Sequence, residues 1–373
     1  MIDSLFISAG EFSGDQHGAD VAHLLKKSDP SMTLFGLGGD ALEAAGVTLV
    51  EHNNRLAFMG LGEVLRNYFL LRKVMKRMLY EVDHRKPKAA LLIDYPGFNM
   101  RLARALKKRG IKVFYYISPK FWAWNCRRLK ALRANVDQML VIFPFEVALL
   151  QEKSISARYV GNPLVEQVQR LKVASREFVP WGEGKRIALL PGSRKQEVER
   201  ILPVLVEAAI RLEQRIQCSC VIAVPSLYIA EVIRSMDLSS KLKIMIGHTP
   251  AVVEQADAAW VASGTATLEA ALLNTPHVLV YRTGVLTYWF AQAVLDIPYV
   301  GLVNLLANRE VCPELLQEEA HPEALADRLL PLLEDGVPRR EMLEGFELIR
   351  TTLGDRPCAA AVTQQVLEAY SAG

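Results

Sequence analysis

The 373-residue sequence has no long apolar run and no leader pattern. No segment reaches the roughly 18 uninterrupted apolar residues that a membrane-spanning helix needs. At the N-terminus, Asp3 and Glu11 bracket an apolar run of only strand length, so we expect no secretory signal. The sequence therefore predicts a cytosolic protein, which can still touch a membrane surface.

Charge of one sign and metal-ligand patterns are also scarce. The formal net charge is only +3, whereas nucleic-acid-binding domains are usually strongly basic, so we expect no nucleic-acid partner. The five cysteines and seven histidines show no spacing typical of metal sites, so we expect no bound metal. Cys218 and Cys220 occupy alternate positions of a predicted strand, and the scattered set is typical of reduced thiols.

Low-complexity tracts are absent as well, and 51% hydrophobic with 23% charged residues is the composition of a globular protein. The chain is too long for one ordinary core, so its length favours two domains. We place them at residues 1–170 and 171–354. We expect a closing helix at 355–373 to pack back on the first domain or on a partner chain.

Strand-length apolar runs alternate with helical patterns along both halves of the chain. This alternation predicts parallel sheets with helices on both faces, whose ligands bind beyond the carboxyl ends of the strands. The predicted fold class is α/β, with two Rossmann-like domains facing a central cleft. The predicted strands are 5–8, 33–37, 89–93, 112–117, 138–142 and 157–160, then 187–190, 219–224, 243–246, 258–262 and 277–280. The predicted helices include 16–27, 40–45, 339–352 and 358–372, the pattern being helical after residue 280.

A glycine-containing loop after the first strand offers Gly10, Glu11 and Ser13 to a ligand. Glycine lets a ligand approach the backbone, and the following helix supplies amide donors. The alternative is a tight turn capped by Ser13 or Asp15. The loop lacks the Gly-x-Gly-x-x-Gly spacing of dinucleotide sites, so we expect no nicotinamide or other cofactor.

Asp94 ends the apolar run 89–93 and is followed by Pro96 and Gly97. A carboxylate at the carboxyl end of a buried strand can act as a base or bind hydroxyl groups. The alternative is an Asp that caps a helix starting near Phe98. For most rings of the aromatic segment 114–124, we expect packing in the core or between loops.

The second half contains two turns of the kind that bind phosphate. Arg194 follows the strand 187–190 and suits a diphosphate, because its guanidinium makes bidentate charge-assisted hydrogen bonds. The segment 263–269 opens a helix whose first amides can hold phosphate, while Glu269 can point at a ribose diol; a simple N-cap with a helix-interior Glu is the alternative. His248 can lie beside a base. The nucleotide-binding residues predicted here are Gly192, Ser193, Arg194, Gly247, Ser263, Gly264, Thr265, Ala266, Thr267 and Glu269.

A basic helical segment at 61–79 does not fit the sheet pattern. Its apolar stripe is wider than one core-facing side, because Phe69, Leu70 and Val74 extend it. A basic helix with extra apolar surface is typical of an interfacial membrane helix, and a domain helix with a basic outer face is the alternative. The residues predicted to contact a membrane or a ligand held there are Met59, Leu65, Phe69, Leu70, Arg72, Lys73 and Arg77.

Taken together, the motifs resemble those of the lipid-A-disaccharide synthase family, inverting glycosyltransferases with the GT-B fold. They occur in family order over nearly the whole chain. Gly97 and Lys120 depart from the acidic residue and the Gln that are common in the family. The motifs that carry the resemblance are Ser8-Ala-Gly-Glu-Phe-Ser-Gly-Asp15, Met59-Gly60, Glu63-Val64, Asp94-Tyr-Pro-Gly-Phe-Asn99, Tyr116-Ile-Ser-Pro119, Trp122-Ala-Trp124, Phe143-Pro-Phe-Glu146, Leu189-Leu-Pro-Gly-Ser-Arg194, Ser263-Gly-Thr-Ala-Thr-Leu-Glu269 and Val303-Asn-Leu-Leu-Ala-Asn-Arg-Glu310.

The resemblance implies that UDP-2,3-diacylglucosamine donates its sugar to 2,3-diacylglucosamine 1-phosphate, giving the β-1,6-linked lipid A disaccharide precursor and UDP with inversion. Asp94 matches the family's essential aspartate, Arg194 its essential arginine, and Asn304 an asparagine on the donor side. Because both substrates carry acyl chains, we expect peripheral association with the anionic inner face of the bacterial inner membrane. The oligomeric state, with a homodimer as one option, stays open.

Two other functions remain open from the residues alone. A GT-B relative that acts on a soluble UDP-N-acetylhexosamine, such as an epimerase, would explain both phosphate turns but gives the segment 61–79 no role. A peripheral membrane protein that binds nucleotides without catalysis is the other alternative, which a test for UDP release distinguishes from an enzyme.

Overall fold

The computed structural model describes residues 4–57, 68–119, 126–173, 177–236, 238, 242–284 and 299–371. The chain divides into two compact units. Unit 1 comprises Met1–Glu166 together with Asp355–Gly373, and unit 2 comprises Gln167–Gly354. Each unit contains one parallel β-sheet with helices on its faces.

The sheet of unit 1 has the strand order β3-β2-β1-β4-β5-β6-β7 in the described residues, and all its pairs are parallel. Its strands are β1 (Ser4–Ala9), β2 (Thr33–Gly38), β3 (Thr48–His52), β4 (Ala89–Ile93), β5 (Lys112–Tyr116), β6 (Gln138–Val141) and β7 (Ala157–Tyr159). Its helices are α1 (Phe12–Ser28), α2 (Asp40–Ala44), α3 (Asn54–Ala57), α4 (Tyr68–Arg85), α5 (Pro96–Lys107), α6 (Cys126–Asn135), α7 (Pro144–Glu152) and α8 (Pro163–Val173), which crosses into unit 2.

Two apolar clusters cover the two faces of this sheet. Alternate strand residues enter different clusters, as the period of two along a strand requires: Ala90 and Leu92 face α4 and α5, whereas Leu91 and Ile93 face α1. Because both faces are covered, the central strands are apolar at most positions, which is why the sequence predicts them from nearly continuous apolar runs.

The C-terminal helix α16 (Cys358–Ser371) packs on unit 1 in the structure. Val362 and Val366 are fully buried in the cluster on the α1 side. The Tyr370 hydroxyl donates to the Ser4 carbonyl oxygen at 2.6 Å. At the helix start, the Cys358 amide donates to Glu166 Oε1, and Arg356 Nη1 donates to the Tyr159 carbonyl oxygen at 2.9 Å.

The sheet of unit 2 has the order β10-β9-β8-β11-β12-β13 in the described residues and is also parallel. Its strands are β8 (Lys185–Leu190), β9 (Cys218–Val224), β10 (Lys243–Ile246), β11 (Ala258–Ala262), β12 (His277–Tyr281) and β13 (Glu314–Leu316). Its helices are α9 (Lys195–Glu213), α10 (Leu227–Arg234), α11 (Thr249–Gln255), α12 (Thr265–Leu272), α13 (Leu302–Ala307), α14 (Pro322–Leu329) and α15 (Val337–Leu353).

The observed elements correct the sequence analysis at three places. Strands β3 and β13 were missed, and the chain after residue 280 is therefore not purely helical. Helix α1 begins at Phe12 rather than at residue 16, so the second half of the expected loop forms the first helical turn. Phe114, Tyr115 and Tyr116 are buried in the core as expected, while the rest of that aromatic segment, from Lys120 to residue 125, lies outside the described residues.

Candidate active site

The strand order of unit 1 reverses between β1 and β4, which lie side by side. Ala9 pairs with Ile93, so Gly10 and Asp94 leave the sheet next to each other at its carboxyl edge. Open α/β sheets bind their ligands at such a switch point, because the loops on either side diverge there. The structure thus brings together the glycine loop and the carboxylate that the sequence analysis singled out separately.

Asp94 and Tyr95 both adopt left-handed backbone conformations, with φ of 45° and 48°. For residues with a side chain, this region costs about 1–3 kcal/mol each and persists only where surrounding contacts enforce it. Helix α5 begins at Pro96 with Tyr95 as its N-cap residue. The alternative in which Asp94 caps a helix beginning near Phe98 is therefore wrong.

A buried hydrogen-bond network holds this strained turn. The side chain of Asn99 is fully buried, and its Nδ2 donates to the carbonyl oxygens of Asp94 at 2.9 Å, Ile93 at 3.1 Å and Ser8 at 3.3 Å. Ser8 Oγ donates to Asn99 Oδ1 at 2.7 Å. The Tyr115 hydroxyl donates to the Asp94 carbonyl oxygen at 2.7 Å. Asn99 and Ser8 lie at the ends of family-like motifs, but the sequence analysis gave neither a role.

Gly10 is required by the ring of Tyr95. A Cβ atom at position 10 would lie 2.2 Å from Tyr95 Cδ1, far inside van der Waals contact. Burial, and in second place the negative charge of Glu11, raises the pKa of the Tyr95 hydroxyl. Glu11 itself is exposed and is the N-cap residue of α1. The structure therefore places Gly10, Glu11 and the strained turn around one point.

Asp15 has a structural role rather than a place in a ligand loop. Its carboxylate is buried and accepts hydrogen bonds from the amides of Gly39 at 2.6 Å, Ala41 at 3.0 Å and Leu42 at 3.3 Å, so it caps the N-terminus of α2. The alternative of a tight turn capped by Ser13 or Asp15 is wrong, because the chain is helical from Phe12 onward and both residues lie within α1. Ser13 is exposed in the first turn of α1.

The strand order of unit 2 reverses between β8 and β11. Leu190 pairs with Val261, so the turns that follow the two strands leave the sheet as neighbours. Gly192 has a φ of 113°, and a Cβ atom there would lie 2.8 Å from Glu197 Oε2. Ser193 and Arg194 are exposed, and the Arg194 side chain is 81% accessible at the N-terminus of α9, 3.5 Å from Glu197.

The second turn of this switch point opens helix α12. Gly264, with a φ of 151°, is its N-cap residue. A Cβ atom added at this position would have no described atom within 4 Å. Thr265 is exposed, whereas Thr267 is buried and its Oγ1 donates to the Gly264 carbonyl oxygen at 2.8 Å. The first amides of a helix have no intrahelical partner and favour anions. Ser263 and Ala266 flank this N-terminus and are both partly exposed.

Glu269 lies one turn further along α12. Burial raises the pKa of its carboxyl group to about 7. A carboxyl group that is half protonated near neutral pH can donate or accept a hydrogen bond, so both forms could meet a hydroxyl group of a ligand. After β10, Gly247 has a φ of 79° with open space beside it, and His248 pairs with Glu177.

Asn304 is engaged within its own loop. Its Oδ1 accepts from the amides of Val311 at 2.7 Å and Cys312 at 2.9 Å. Its Nδ2 donates to the Cys312 carbonyl oxygen at 2.7 Å and to Glu314 Oε1 at 2.8 Å. Because the side chain is buried and its hydrogen-bonding groups are used within the loop, what the structure shows for Asn304 is that it holds residues 311–314.

Helix α4 covers part of the segment expected at a membrane; Met59 and Leu65 lie outside the described residues. Val74 is buried with Met78 and Val82, so the expectation that Val74 widens the outer apolar surface is wrong. Leu70 is partly buried and packs against the same cluster. Phe69 is 78% accessible and Tyr80 70%. Arg72, Lys73 and Arg77 are exposed, and Arg77 pairs with Glu51 at 3.2 Å.

The described residues contain no group of three or more His, Cys, Asp or Glu side chains arranged to hold a metal ion. No helix among them has both the length and the apolar character needed to cross a bilayer.

The comparison with known proteins agrees with the motifs at these two switch points. A family model described as lipid-A-disaccharide synthetase matches residues 5–363. The chain belongs to the lipid-A-disaccharide synthase family. The lipid-A-disaccharide synthase of Myxococcus xanthus is 41% identical over 99% of this chain and 98% of its own length. That of Syntrophus aciditrophicus is 38% identical over 94% and 93%. The protein is therefore a glycosyltransferase of lipid A disaccharide formation.

Solved structures with the same fold have little sequence in common with this family member. The UDP-GlcNAc 2-epimerase from Neisseria meningitidis, solved with UDP-GlcNAc, has a TM-score of 0.66 at 12% identity and covers 98% of this chain and all of its own. The calicheamicin glycosyltransferase CalG4 has a TM-score of 0.59 at 12% identity and covers 100% and 98%. These neighbours confirm the predicted fold class of two parallel-sheet α/β domains of the GT-B type.

Proposed function

We propose that the enzyme transfers 2,3-diacylglucosamine from UDP-2,3-diacylglucosamine to the 6-hydroxyl group of 2,3-diacylglucosamine 1-phosphate. The products are UDP and a β-1,6-linked disaccharide, formed with inversion at the anomeric carbon. One observation carries the proposal: each unit places its candidate residues at the switch point of its own sheet, with Asp94 in unit 1 and Arg194 in unit 2.

Asp94 is the proposed general base. Inversion needs a single in-line attack, so one group that accepts the proton of the acceptor hydroxyl is enough. The O–H bond of the acceptor breaks as its oxygen bonds to the anomeric carbon, and the bond to the UDP oxygen breaks at the same time. A positioned base contributes about 10²- to 10⁴-fold to the rate.

Arg194 and the N-terminus of α12 are proposed to bind the diphosphate. The leaving UDP gains negative charge in the transition state, and a guanidinium together with fixed helix amides stabilises that charge. The two turns are neighbours at the carboxyl ends of β8 and β11, which supports their acting on one diphosphate. Glu269 is proposed to contact the ribose hydroxyl groups. Gly10, Glu11 and Ser13 remain proposed donor contacts supplied by unit 1.

Unit 1 has a surface suited to anionic lipid. Helices α4, α5 and α6 pack on the same side of its sheet, and α5 and α6 contain no acidic residue. We call seven exposed cationic residues of these helices the basic face. Within the described part of the chain none of the seven pairs with an acidic side chain, whereas Arg77 and Lys107 of the same helices pair with Glu51 and Asp137. The basic face consists of Arg72, Lys73, Lys76, Arg101, Arg104, Lys130 and Arg133.

Helix α4 adds aromatic side chains to the basic face. Phe69, Lys73, Lys76 and Tyr80 recur at spacings of three and four residues and so lie on one side of the helix, opposite Val74. Aromatic and cationic side chains on one exposed helix side suit the interface of an anionic bilayer. We propose that this side touches the inner leaflet of the inner membrane, where both acylated substrates reside. Homodimer formation stays a prediction.

The test of this function is incubation with both acylated substrates, with mass and anomeric analysis of the product by NMR. We expect UDP release only when both substrates are present, and a β-configured disaccharide. A nucleotide-binding protein without catalysis would release no UDP. An epimerase would change UDP-N-acetylglucosamine without any lipid acceptor, and either result would contradict the proposal.

A further inference from the structure

The chemistry proposed for Asp94 depends on where its carboxylate points, and that direction follows from the backbone of a strained turn. The Cα–Cβ bond of Asp94 is fixed by its left-handed φ of 45°, and Tyr95 continues in the same region with a φ of 48°. An ordinary extended continuation of β4 would turn the side chain elsewhere. Something in the fold must therefore hold the unfavourable conformation.

The groups that hold it are the buried Asn99 amide and the Tyr115 hydroxyl. Both donate to the Asp94 carbonyl oxygen, at 2.9 Å and 2.7 Å. Asn99 also donates to the carbonyl oxygens of Ile93 and Ser8, and thus joins the ends of β4 and β1 across the switch point. The Asp94 amide in turn donates to the Tyr116 carbonyl oxygen at 2.9 Å.

The orientation of the Asn99 amide is itself fixed. Ser8 Oγ, which is fully buried, donates to Asn99 Oδ1 at 2.7 Å, so the NH₂ group must face the three carbonyl oxygens. Exchange of NH₂ for oxygen at this position would set an acceptor against three acceptors with almost no change of shape. The network therefore has one allowed arrangement, and it fixes the turn that carries Asp94.

We propose that Asn99, oriented by Ser8 and assisted by Tyr115, is a positioning residue that aims the Asp94 carboxylate at the acceptor hydroxyl. The inference rests on the proposed role of Asp94 as the base. Asn99 touches no substrate in this account and acts only through Asp94. Its loss should consequently slow turnover without weakening the binding of UDP, which is assigned to unit 2.

The test is a kinetic double-mutant cycle with Asn99→Asp, Asp94→Asn and the double variant. Because a misplacement of about 1 Å costs about 10²-fold in rate, we expect Asn99→Asp to lower kcat by about 10²-fold, with the KM for the donor and the Kd for UDP near the wild-type values. The double variant should be no slower than Asp94→Asn alone, since Asn99 then has no base to position.

Asn162→Asp is the matched control. Asn162 is also buried in unit 1, and its Nδ2 donates to the Ile142 carbonyl oxygen at 3.0 Å, but it contacts neither β1 nor β4 in the described hydrogen bonds. This variant should keep the wild-type kcat. If Asn99→Asp does not fold, Tyr115→Phe removes one of the two bonds to Asp94 and takes its place in the cycle, with a smaller loss expected.

The outcomes distinguish failure of the positioning role of Asn99 from failure of the proposed base Asp94. Equal kcat values for Asn99→Asp and Asn162→Asp, or losses that multiply in the double variant, overturn the positioning role while leaving the base intact. An Asp94→Asn enzyme with wild-type turnover overturns the base itself, whatever the Asn99 variant does.

Discussion

Gly10 shows how a single missing Cβ atom shapes the switch point of unit 1. Tyr95 Cδ1 would lie 2.2 Å from that atom, and Tyr95 cannot retreat easily because it is held in the left-handed region and packs against Phe98. Gly97, in the same turn, has open space around its Cα. The two glycines therefore differ in what an added methyl group would displace.

We predict that Gly10→Ala lowers kcat by about 10²-fold, because the displaced ring shifts the Asp94 turn by a distance of the order that costs this much. Gly97→Ala should leave kcat and the thermal midpoint close to wild type. Steady-state kinetics of the two variants, with circular dichroism as a check of folding, make the comparison. Equal activity of both variants would show that the ring of Tyr95 does not locate Asp94.

Glu269 predicts how the stability of unit 2 depends on pH. Its folded pKa of about 7 lies above the unfolded value of 4.5, so the folded state binds more protons between these values and loses stability as pH rises through about 7. Glu269→Gln removes this loss. Without ligand, the variant should be more stable than wild type by on the order of 3 kcal/mol at pH 8 and nearly equal below pH 4.5.

Urea denaturation at the two pH values measures the difference. Both proteins carry Phe in place of the other four tryptophans, Trp122, Trp124, Trp181 and Trp289, so that the fluorescence comes from Trp260 alone. Trp260 is fully buried in β11, next to α12 in the sequence, and so reports on the same unit. A stability difference that stays constant from pH 4.5 to pH 8 would contradict the raised pKa.

Some residue roles were beyond the reach of the sequence. The sequence analysis placed Asp15 in a ligand loop or in a tight turn, yet its partners are amides at positions 39–42, which only the pairing of β1 with β2 brings near. The Asn304 side chain likewise makes its hydrogen bonds to residues 311–314. The role of Asn99 depends on the carbonyl oxygens of Ser8, Ile93 and Asp94, which lie at the ends of β1 and β4. Such roles depend on tertiary contacts that residue spacing does not record.

At the scale of elements, strands were predictable where an apolar run is bounded by polar or glycine residues. The bounds of β4, β10 and β11 agree with the sequence analysis to the residue, and β10 is an edge strand, so a central position is not required. Strands β3 and β13 also lie at the sheet edges, but they include Glu51 or Glu314. Neither contains a continuous apolar run of strand length, so both were missed.

Helix α4 combines both readings of the segment 61–79. One side, with Val74, packs in the core, and the opposite side presents Phe69 and Tyr80 among basic residues. The amphipathic period was readable from the sequence. Which apolar residues lie outside the core was not, because the number of residues buried under α4 depends on α5 and the sheet.

We predict that Phe69→Ser with Tyr80→Ser releases the enzyme from anionic vesicles. Burial of each aromatic side chain contributes about 1.5–3 kcal/mol, so the partition coefficient should fall by roughly tenfold or more. Phe178→Ser in unit 2, where Phe178 is 83% accessible, is the matched control and should bind vesicles as wild type does. Co-sedimentation with phosphatidylglycerol vesicles measures the binding. Comparison of low and high salt separates the electrostatic contribution, which salt screens, from the apolar one.

Unchanged co-sedimentation of the double serine variant would contradict the assignment of α4 to the membrane. Equal binding to neutral and anionic vesicles would contradict the role of the basic face.

At the scale of the whole molecule, unit 1 is formed by two stretches of the sequence that lie on either side of unit 2. Helix α16 returns from unit 2 and buries Val362 and Val366 against the sheet of unit 1. The stability of unit 1 therefore depends on residues at the far end of the chain, whereas the core of unit 2 is continuous in sequence.

We predict that Val366→Ala destabilises unit 1 by about 1–3 kcal/mol, because it leaves a cavity in a closed core, and leaves unit 2 unchanged. Val278→Ala, at a fully buried position of β12, should do the reverse. Pulse proteolysis in urea, with mass spectrometric assignment of the fragments, resolves the two transitions. A shift of both transitions by either substitution would show that the units do not unfold separately.

The central claim is that one carboxylate at the switch point of unit 1 takes the acceptor proton, while unit 2 holds the diphosphate. The most direct measurement is the turnover of Asp94→Asn with both acylated substrates, alongside its Kd for UDP. We expect the kcat of Asp94→Asn to be lower by about 10²- to 10⁴-fold, with an unchanged Kd for UDP. A folded Asp94→Asn enzyme that keeps near-wild-type turnover would contradict the central claim.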